Sequence, residues 1–210
     1  MRSAAAFALA LLLSSAACQP SGPVAPHPGT ALKTVPRNRA SMSAPIPPGE
    51  EFIMLRAWVE NESDEPIRIE DVTIEGVNLG SVMDVVSVEL APLPGSATSS
   101  DYVSGGLYKT DPPVWKYGDH AVCNRQVLTA VDGYILRPGS YARIAVRLRA
   151  ASVGRFGVLE HVVRYRVNEE SYAQSIPSEL VGQVRSKATP MRIPEPERQC
   201  IDADVAVLGL

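Results

Sequence analysis

The stretch EFIMLRAWV, residues 51–59, alternates between two sets of side chains with a period of two, which is typical of a half-buried β-strand. One set is Ile53, Leu55, Ala57 and Val59, and the other is Met54, Arg56 and Trp58. We therefore expect a strand here, with each set on one face. A β-domain is predicted to begin at Glu51.

Further short strands are predicted downstream of this stretch. Ile67 and Ile69 lie on one phase and Val72 and Ile74 on the other, so we expect a β-bulge near residues 70–71. The remaining strands are predicted at 82–90, 127–131, 134–136, 143–149, 158–167, 172–176 and 178–184. About eight short strands without a helical period favour an all-β sandwich.

Two of these strands, 143–149 and 158–167, are separated by a glycine-containing turn, and we expect them to form a long antiparallel hairpin. Its polar face would then present five arginines together: Arg143, Arg147, Arg149, Arg164 and Arg166. Such a stripe fits either anionic headgroups and polymers or an ordinary solvated face.

The run from Asn61 to Gly76, followed by Leu136, Pro138–Gly139 and Tyr165, resembles the immunoglobulin-like domains of bacterial envelope proteins. The resemblance covers about residues 50–184 and implies an immunoglobulin-like antiparallel β-sandwich, here assigned to 51–184. It does not fix a function, because such sandwiches have many roles. Tyr165 fits either a tyrosine corner or simple core packing.

At the N-terminus, Arg2 precedes an apolar run, Ala4–Leu13, that is shorter than the roughly 20 residues of a membrane-spanning helix. This is typical of a secretory signal. The sequence Ser15-Ala-Ala-Cys18 then resembles the lipobox of bacterial lipoproteins, although Ser15 stands where leucine is usual. The resemblance implies removal of residues 1–17, acyl chains on Cys18 and anchoring on the extracytoplasmic face of a membrane. The alternative is ordinary cleavage after Ala16 or Ala17, which would release a soluble protein.

Three cysteines are one too many for a closed set of disulfides, and lipidation of Cys18 would remove the odd one. Cys123 and Cys200 would then form a bridge in an oxidising compartment, or remain two unpaired thiols. The bridge would tie the tail, 185–210, to the domain. The tail's apolar end, Val205–Leu210, would form a last strand or fray.

Residues 18–50 hold the lipid-attachment site and a segment rich in proline, with Pro20, Pro23, Pro26, Pro28, Pro36, Pro45, Pro47 and Pro48. Proline lacks the backbone donor and favours extended conformations. We expect a disordered, semi-rigid spacer that holds the domain away from the membrane.

About thirty residues between Ala91 and Arg125 exceed what a minimal sandwich needs, and they are rich in aromatic side chains. Tyrosine and tryptophan suit both partner contacts and stacking on sugar rings. The candidate binding residues are Tyr102, Tyr108, Trp115 and Tyr117. The alternative is that this insertion folds back and covers the edge of the sandwich.

Chemistry-bearing motifs give little support for catalysis, since the chain has no GxSxG, HExxH, phosphate loop or CxxC. His161 alternates with Leu159 and Val163, which favours a satisfied core or edge histidine over a ligand. His120 and Cys123 are the one close donor pair, but residues 124–127 supply neither the histidine nor the methionine of a copper site. We therefore predict no metal, no cofactor and no enzymatic activity.

The net charge of −3 and a pI near 5.7 do not suggest a nucleic-acid partner. The prediction is an envelope lipoprotein, held to the membrane by its N-terminal lipid, that acts as a non-catalytic binding module through the aromatic insertion. A cell-wall polymer or an envelope protein would be its partner. The alternative is a structural accessory subunit or spacer of a larger envelope assembly.

Overall fold

The computed structural model describes residues 25–34, 40–42, 45–92, 107–108 and 128–189. These residues form an all-β, immunoglobulin-like sandwich of two six-stranded sheets, as the sequence predicts. None of the described residues lies in a helix capable of crossing a membrane.

The strands are β1 (His27–Pro28), β2 (Leu32–Thr34), β3 (Ala40–Ser41), β4 (Glu51–Asn61), β5 (Ile67–Val77), β6 (Met83–Pro92), β7 (Leu107–Tyr108), β8 (Thr129–Ala130), β9 (Tyr134–Leu136), β10 (Tyr141–Ala150), β11 (Gly154–Val167) and β12 (Glu170–Val184). The first sheet has the order β1-β12-β11-β5-β9, with β3 beside β12. The second sheet has the order β2-β4-β10-β6-β8, with β7 beside β4. Their apolar inner faces enclose the main core.

The predicted hairpin between residues 143–149 and 158–167 is wrong, because β10 and β11 belong to different sheets. β10 is already paired on both sides, with β4 and β6, so it offers no edge to β11. The short connection between them crosses from one sheet to the other, and its Ala151 N donates to the carbonyl of Val82. The actual long hairpin is β11 with β12, whose turn includes Asn168 in the left-handed region at φ 54°.

The predicted bulge in β5 is confirmed. Arg164 pairs with Asp71 and Tyr165 with Ile69, so Glu70 is the inserted residue. Glu70 also forms an ion pair of 3.2 Å with Arg166. The bulge at Glu70 therefore explains why Ile67 and Ile69 lie on one phase of the sequence alternation and Val72 and Ile74 on the other.

A second bulge, in β4, was not apparent from the sequence. Ile144 pairs with Ala57 and Ala145 with Leu55, which leaves Arg56 as the inserted residue. The face assignment of the first strand is therefore wrong: Ala57 and Val59 face the main core together with Phe52 and Met54. Ile53 and Leu55 belong to a separate small cluster with Ala91 and Ala145.

Much of the proline-rich segment is part of the sandwich, in contrast to the predicted spacer. β1 and β3 extend the first sheet, and β2 extends the second. Leu32 and Ile46 are only 2% exposed and lie in the main core. Prolines are compatible with this arrangement because an edge strand such as β1 needs few ladder hydrogen bonds, so Pro28 is tolerated there.

One group of hydrogen bonds fixes this segment where it crosses between the sheets. The fully buried Tyr165 accepts a hydrogen bond from Ala31 N (3.1 Å) and donates one to Gln174 Oε1 (3.3 Å). Gln174 accepts from Leu32 N (3.2 Å) and donates to Leu32 O (2.6 Å). We call this group the Tyr165–Gln174 clamp. Because Ala31 is far from Tyr165 in sequence, Tyr165 serves core packing and a long-range anchor rather than a local tyrosine corner.

Removal of the clamp hydroxyl by Tyr165→Phe should lower the free energy of unfolding by about 1 kcal/mol, because it leaves the amide of Ala31 without its acceptor. Amide hydrogen exchange should also accelerate at Ala31 and Leu32 more than in β10. Urea unfolding and exchange mass spectrometry measure the two effects.

The matched control is Tyr172→Phe. Tyr172 stacks on Tyr165 at a centroid distance of 5.6 Å, but its hydroxyl donates to Glu170 in an exposed position. This variant should leave exchange at residues 25–34 unchanged. Equal effects of the two substitutions would contradict the clamp.

Candidate functional site

Most of the site residues predicted from the sequence lie outside the described residues. These are Cys18, Tyr102, Trp115, Tyr117, Cys123 and Cys200, and His120, considered above as a donor beside Cys123, also lies outside them. The lipid attachment, the disulfide and the aromatic contacts therefore stay predictions. The structure describes only the backbone of the fourth candidate aromatic residue, Tyr108.

Tyr108 lies in β7, the described piece of the aromatic insertion. β7 pairs antiparallel with β4, with Leu107 opposite Met54 and Tyr108 opposite Ile53. This dipeptide thus lies against the sandwich, as expected if the insertion folds back on its edge. β4 therefore provides a rigid attachment point for the insertion.

Near this attachment point, the face of the second sheet that points away from the main core is buried. Ile53 and Leu55 are each 2% exposed. Further along the same strand, Trp58 is buried and its ring lies 5.7 Å from that of Tyr141. Arg143, opposite Trp58 on β10, is also buried. This face is therefore part of the protein interior and is a poor candidate for an open binding surface.

The predicted basic stripe is wrong. Arg143, Arg147 and Arg149 belong to β10 in the second sheet, whereas Arg164 and Arg166 belong to β11 in the first. Arg149 forms an ion pair of 3.2 Å with Asp84, and Arg166 forms one with Glu70. Arg143 is buried, and the other four arginines are divided between the two sheets, so the five do not form one anion-binding surface.

An open apolar groove lies on the outer face of the first sheet. Val77, Gly157 and Val181 stand in one row across β5, β11 and β12. Because Gly157 has no side chain, this row is hollow between two exposed valines, Val77 (52% exposed) and Val181 (49%). Leu159, 42% exposed, continues the apolar lining, and the groove has a volume of about 490 Å³. We call it the Gly157 groove.

Polar groups in the Gly157 groove come from Ser41 of β3, Arg155 and Gln183. Arg155 is exposed, and no carboxylate among the described residues forms an ion pair with it. The groove therefore combines aliphatic side chains with one accessible cation. The sequence alone does not reveal the groove, because Gly157 is expected in the turn between the predicted strands 143–149 and 158–167. In the structure it lies inside β11, where a glycine marks a close approach or a recess.

His161 faces the sandwich interior from β11 and is fully buried, as expected for a core histidine. In contrast to that expectation, neither ring nitrogen makes a hydrogen bond, and nor does the hydroxyl of the buried Ser178 on β12. Burial lowers the pKa of the imidazole from 6.5 to about 4, with the backbone of Ile176 opposing the shift in part. The described residues contain no group of three or more potential metal ligands.

His161 should make stability depend on pH in the window between about 6.5 and 4. His161 binds a proton more readily in the unfolded chain than in the folded one. The free energy of unfolding is therefore unaffected by this group above pH 6.5 and decreases as the pH falls toward 4. The loss should approach about 3 kcal/mol. Urea unfolding between pH 7 and pH 4 measures it.

His161→Leu should remove this component and leave stability at pH 7 equal or higher, because it replaces an unpartnered polar ring by an apolar side chain. His27→Leu, which alters an exposed histidine in β1, should keep the original pH dependence. An unchanged pH profile in His161→Leu would show that other groups cause it.

Comparison with known proteins assigns no family to the chain. No protein-family model matches it, and no curated protein matches it. Among solved structures it is similar to the ASH / PapD-like domain of human CEP192 (PapD-like domain 7), with 10% sequence identity and a TM-score of 0.33. The alignment covers 86% of this chain and 98% of that chain.

Proposed function

We propose that this protein is an envelope lipoprotein, anchored through acyl chains on Cys18, whose sandwich is a non-catalytic binding module. The anchoring part is supported by the signal-like N-terminus and the lipobox-like residues 15–18. The binding part is supported above all by the Gly157 groove, an exposed apolar recess on the outer face of the first sheet.

The chemistry of the groove favours a protein partner. Its exposed walls are aliphatic, from Val77, Leu159 and Val181, and suit the aliphatic side chains of another chain. Met42 and Phe156 complete the apolar lining, but Phe156 is buried in the core and offers no open aromatic surface. Arg155 supplies a cation to which a carboxylate on that chain would bind. Sugar rings instead prefer aromatic platforms, so a cell-wall polymer would bind the aromatic insertion around Trp115.

The anchoring part is tested by intact mass spectrometry of the protein purified from membranes. The chain should start at Cys18 and carry added acyl mass, and Cys18→Ser should abolish membrane retention. A lipid-free chain that begins earlier or later would contradict the anchor. The same measurement with and without reduction shows whether Cys123 and Cys200 are bridged.

The binding part is tested by a photo-crosslinking amino acid placed in living cells at position 181, in the groove, or at position 86. Val86 is the matched control, since it is an exposed valine (43%) in β6 of the second sheet, outside the groove. We expect a discrete adduct with one envelope protein from position 181 and none from position 86. In a chain without the crosslinker, Val181→Asp should weaken binding to that envelope protein, because complex formation would then bury a carboxylate against apolar walls.

Adducts from position 115 without any from position 181 would move the contact to the aromatic insertion and contradict the groove.

The structural accessory role is the second candidate, favoured by the long strand β5. Its pairing with β9 covers only Ile67–Ile69, and within the described parts of the chain no other strand covers that edge at 70–77. Adducts from position 73 alone would favour edge-to-edge assembly.

A further inference from the structure

The N-terminal segment joins the sandwich at one defined end. β1 runs parallel to β12, with His27 opposite Tyr172. β12 starts at Glu170, directly after the turn that follows β11, so Ala25 and Pro26, which precede His27, lie toward that turn. The Tyr165–Gln174 clamp fixes the following residues, Ala31 and Leu32, to the same end.

This end of the sandwich is acidic. Two turns meet there, because Val167 at the end of β11 pairs with Ile67 at the start of β5. Their exposed carboxylates are Glu62, Asp64, Glu65, Glu169 and Glu170. Neither turn contains a basic residue. The basic residues around them are Lys33, which forms an ion pair of 2.7 Å with Glu62, Arg166, which forms one with Glu70, and Arg68 and Arg137. The acidic surface is therefore confined to the two turns themselves.

The first of these turns is held rigidly by the buried Asn61. Its side-chain amide donates to the carbonyls of Glu65 (2.8 Å) and Leu136 (2.9 Å). Its Oδ1 accepts from the backbone and hydroxyl of Ser63. The carboxylates of this turn are therefore carried at a fixed position relative to the sheets.

The Gly157 groove lies at the opposite end. Val181 in the groove is nine positions along β12 from Tyr172, which corresponds to about 30 Å of strand. Val77, at the end of β5, and Arg155, near the start of β11, lie at the same far end.

We propose that the acidic end faces the bilayer at short range and that the Gly157 groove points away from it, toward the aqueous compartment. This inference rests on the proposed acylation of Cys18. Ala25, where the described chain begins, follows Cys18 by seven residues. Seven extended residues span at most about 25 Å, so the clamp converts a long proline-rich segment into a short tether.

The short tether sets this orientation, and the carboxylates of the two turns oppose adhesion of this end to the lipid. Anionic headgroups repel an acidic surface over about a Debye length, so the acidic end does not adhere to the membrane. The groove partner approaches from the side away from the lipid, where neither the bilayer nor the tether blocks Val77 and Val181.

Energy transfer to acceptor-labelled lipid headgroups tests this orientation on the full acylated protein in vesicles. A donor dye is attached through a non-natural amino acid at position 64, in the acidic end, or at position 153, in the turn before β11 near the groove. We expect clearly higher transfer from position 64. Equal transfer, or higher transfer from position 153, would overturn the orientation.

Two insertions of about ten Gly and Ser residues distinguish a short tether from a long spacer. An insertion between Ser21 and Gly22 should lower transfer from position 64, because it lies before the clamp. The same insertion between Val35 and Pro36 should leave it unchanged, because it lies after the clamp. Equal effects of both insertions would overturn the short tether.

The mass of the protein in the same vesicles distinguishes failure of the lipid anchor from failure of the orientation. Absence of acyl mass on Cys18 overturns the anchor and the orientation together. Acylated protein with equal transfer from both dye positions overturns only the orientation.

Discussion

The pair of hydrogen-bonding side chains Tyr165 and Gln174 is the interaction on which the placement of the N-terminal segment, and with it the closure of the sandwich at this end, depends. Both belong to the β11–β12 hairpin of the first sheet, yet they bind the backbone of Ala31 and Leu32 at the point where the chain crosses to the second sheet. Leu32 can then pair with Asn61 and enter the core. Without this anchor, a proline-rich segment with few ladder hydrogen bonds would gain little from leaving solvent, because ordering each residue costs about 1–2 kcal/mol of backbone entropy.

The same hairpin carries both the polar defects and the surface recess of the domain. Pro177 interrupts β12, and the register between β11 and β12 shifts between Val158 and Glu160. Next to this irregularity, His161 and Ser178 are buried without hydrogen-bond partners. Beyond it, Gly157 leaves the outer face hollow. The hairpin therefore binds the N-terminal segment through β1 at one end and through β3 at the other, where the pairing of β11 with β12 is irregular and the groove opens.

Patterns local to one strand could be predicted from the sequence, and partners distant in sequence could not. The Glu70 bulge was visible because Ile69 and Val72 change phase within an otherwise alternating run. The Arg56 bulge was invisible because β4 is apolar on both faces, so either phase looks equally buried. The hairpin between β10 and β11 was predicted from proximity, and it failed because β10 is saturated by β4 and β6. The Gly157 groove needed three strands to be placed side by side.

The N-terminal segment shows why composition alone is a weak guide to order. Proline density predicts an extended chain, and the backbone of Pro28 is indeed extended, but an extended chain is also what the edge of a sheet accepts. A segment becomes an edge strand and not a spacer when a few of its residues have complementary sites in the fold. Here Leu32 and Ile46 lie in the core, and Gly29 packs against the ring of Tyr165. The side chains that fix this segment, Tyr165 and Gln174, lie more than a hundred residues away, in a hairpin whose own alternation is complete without it. A lipid on Cys18 would thus be joined to a folded edge rather than to a free linker, and the reach of the domain would be set by the position of Tyr165 as much as by the length of the chain.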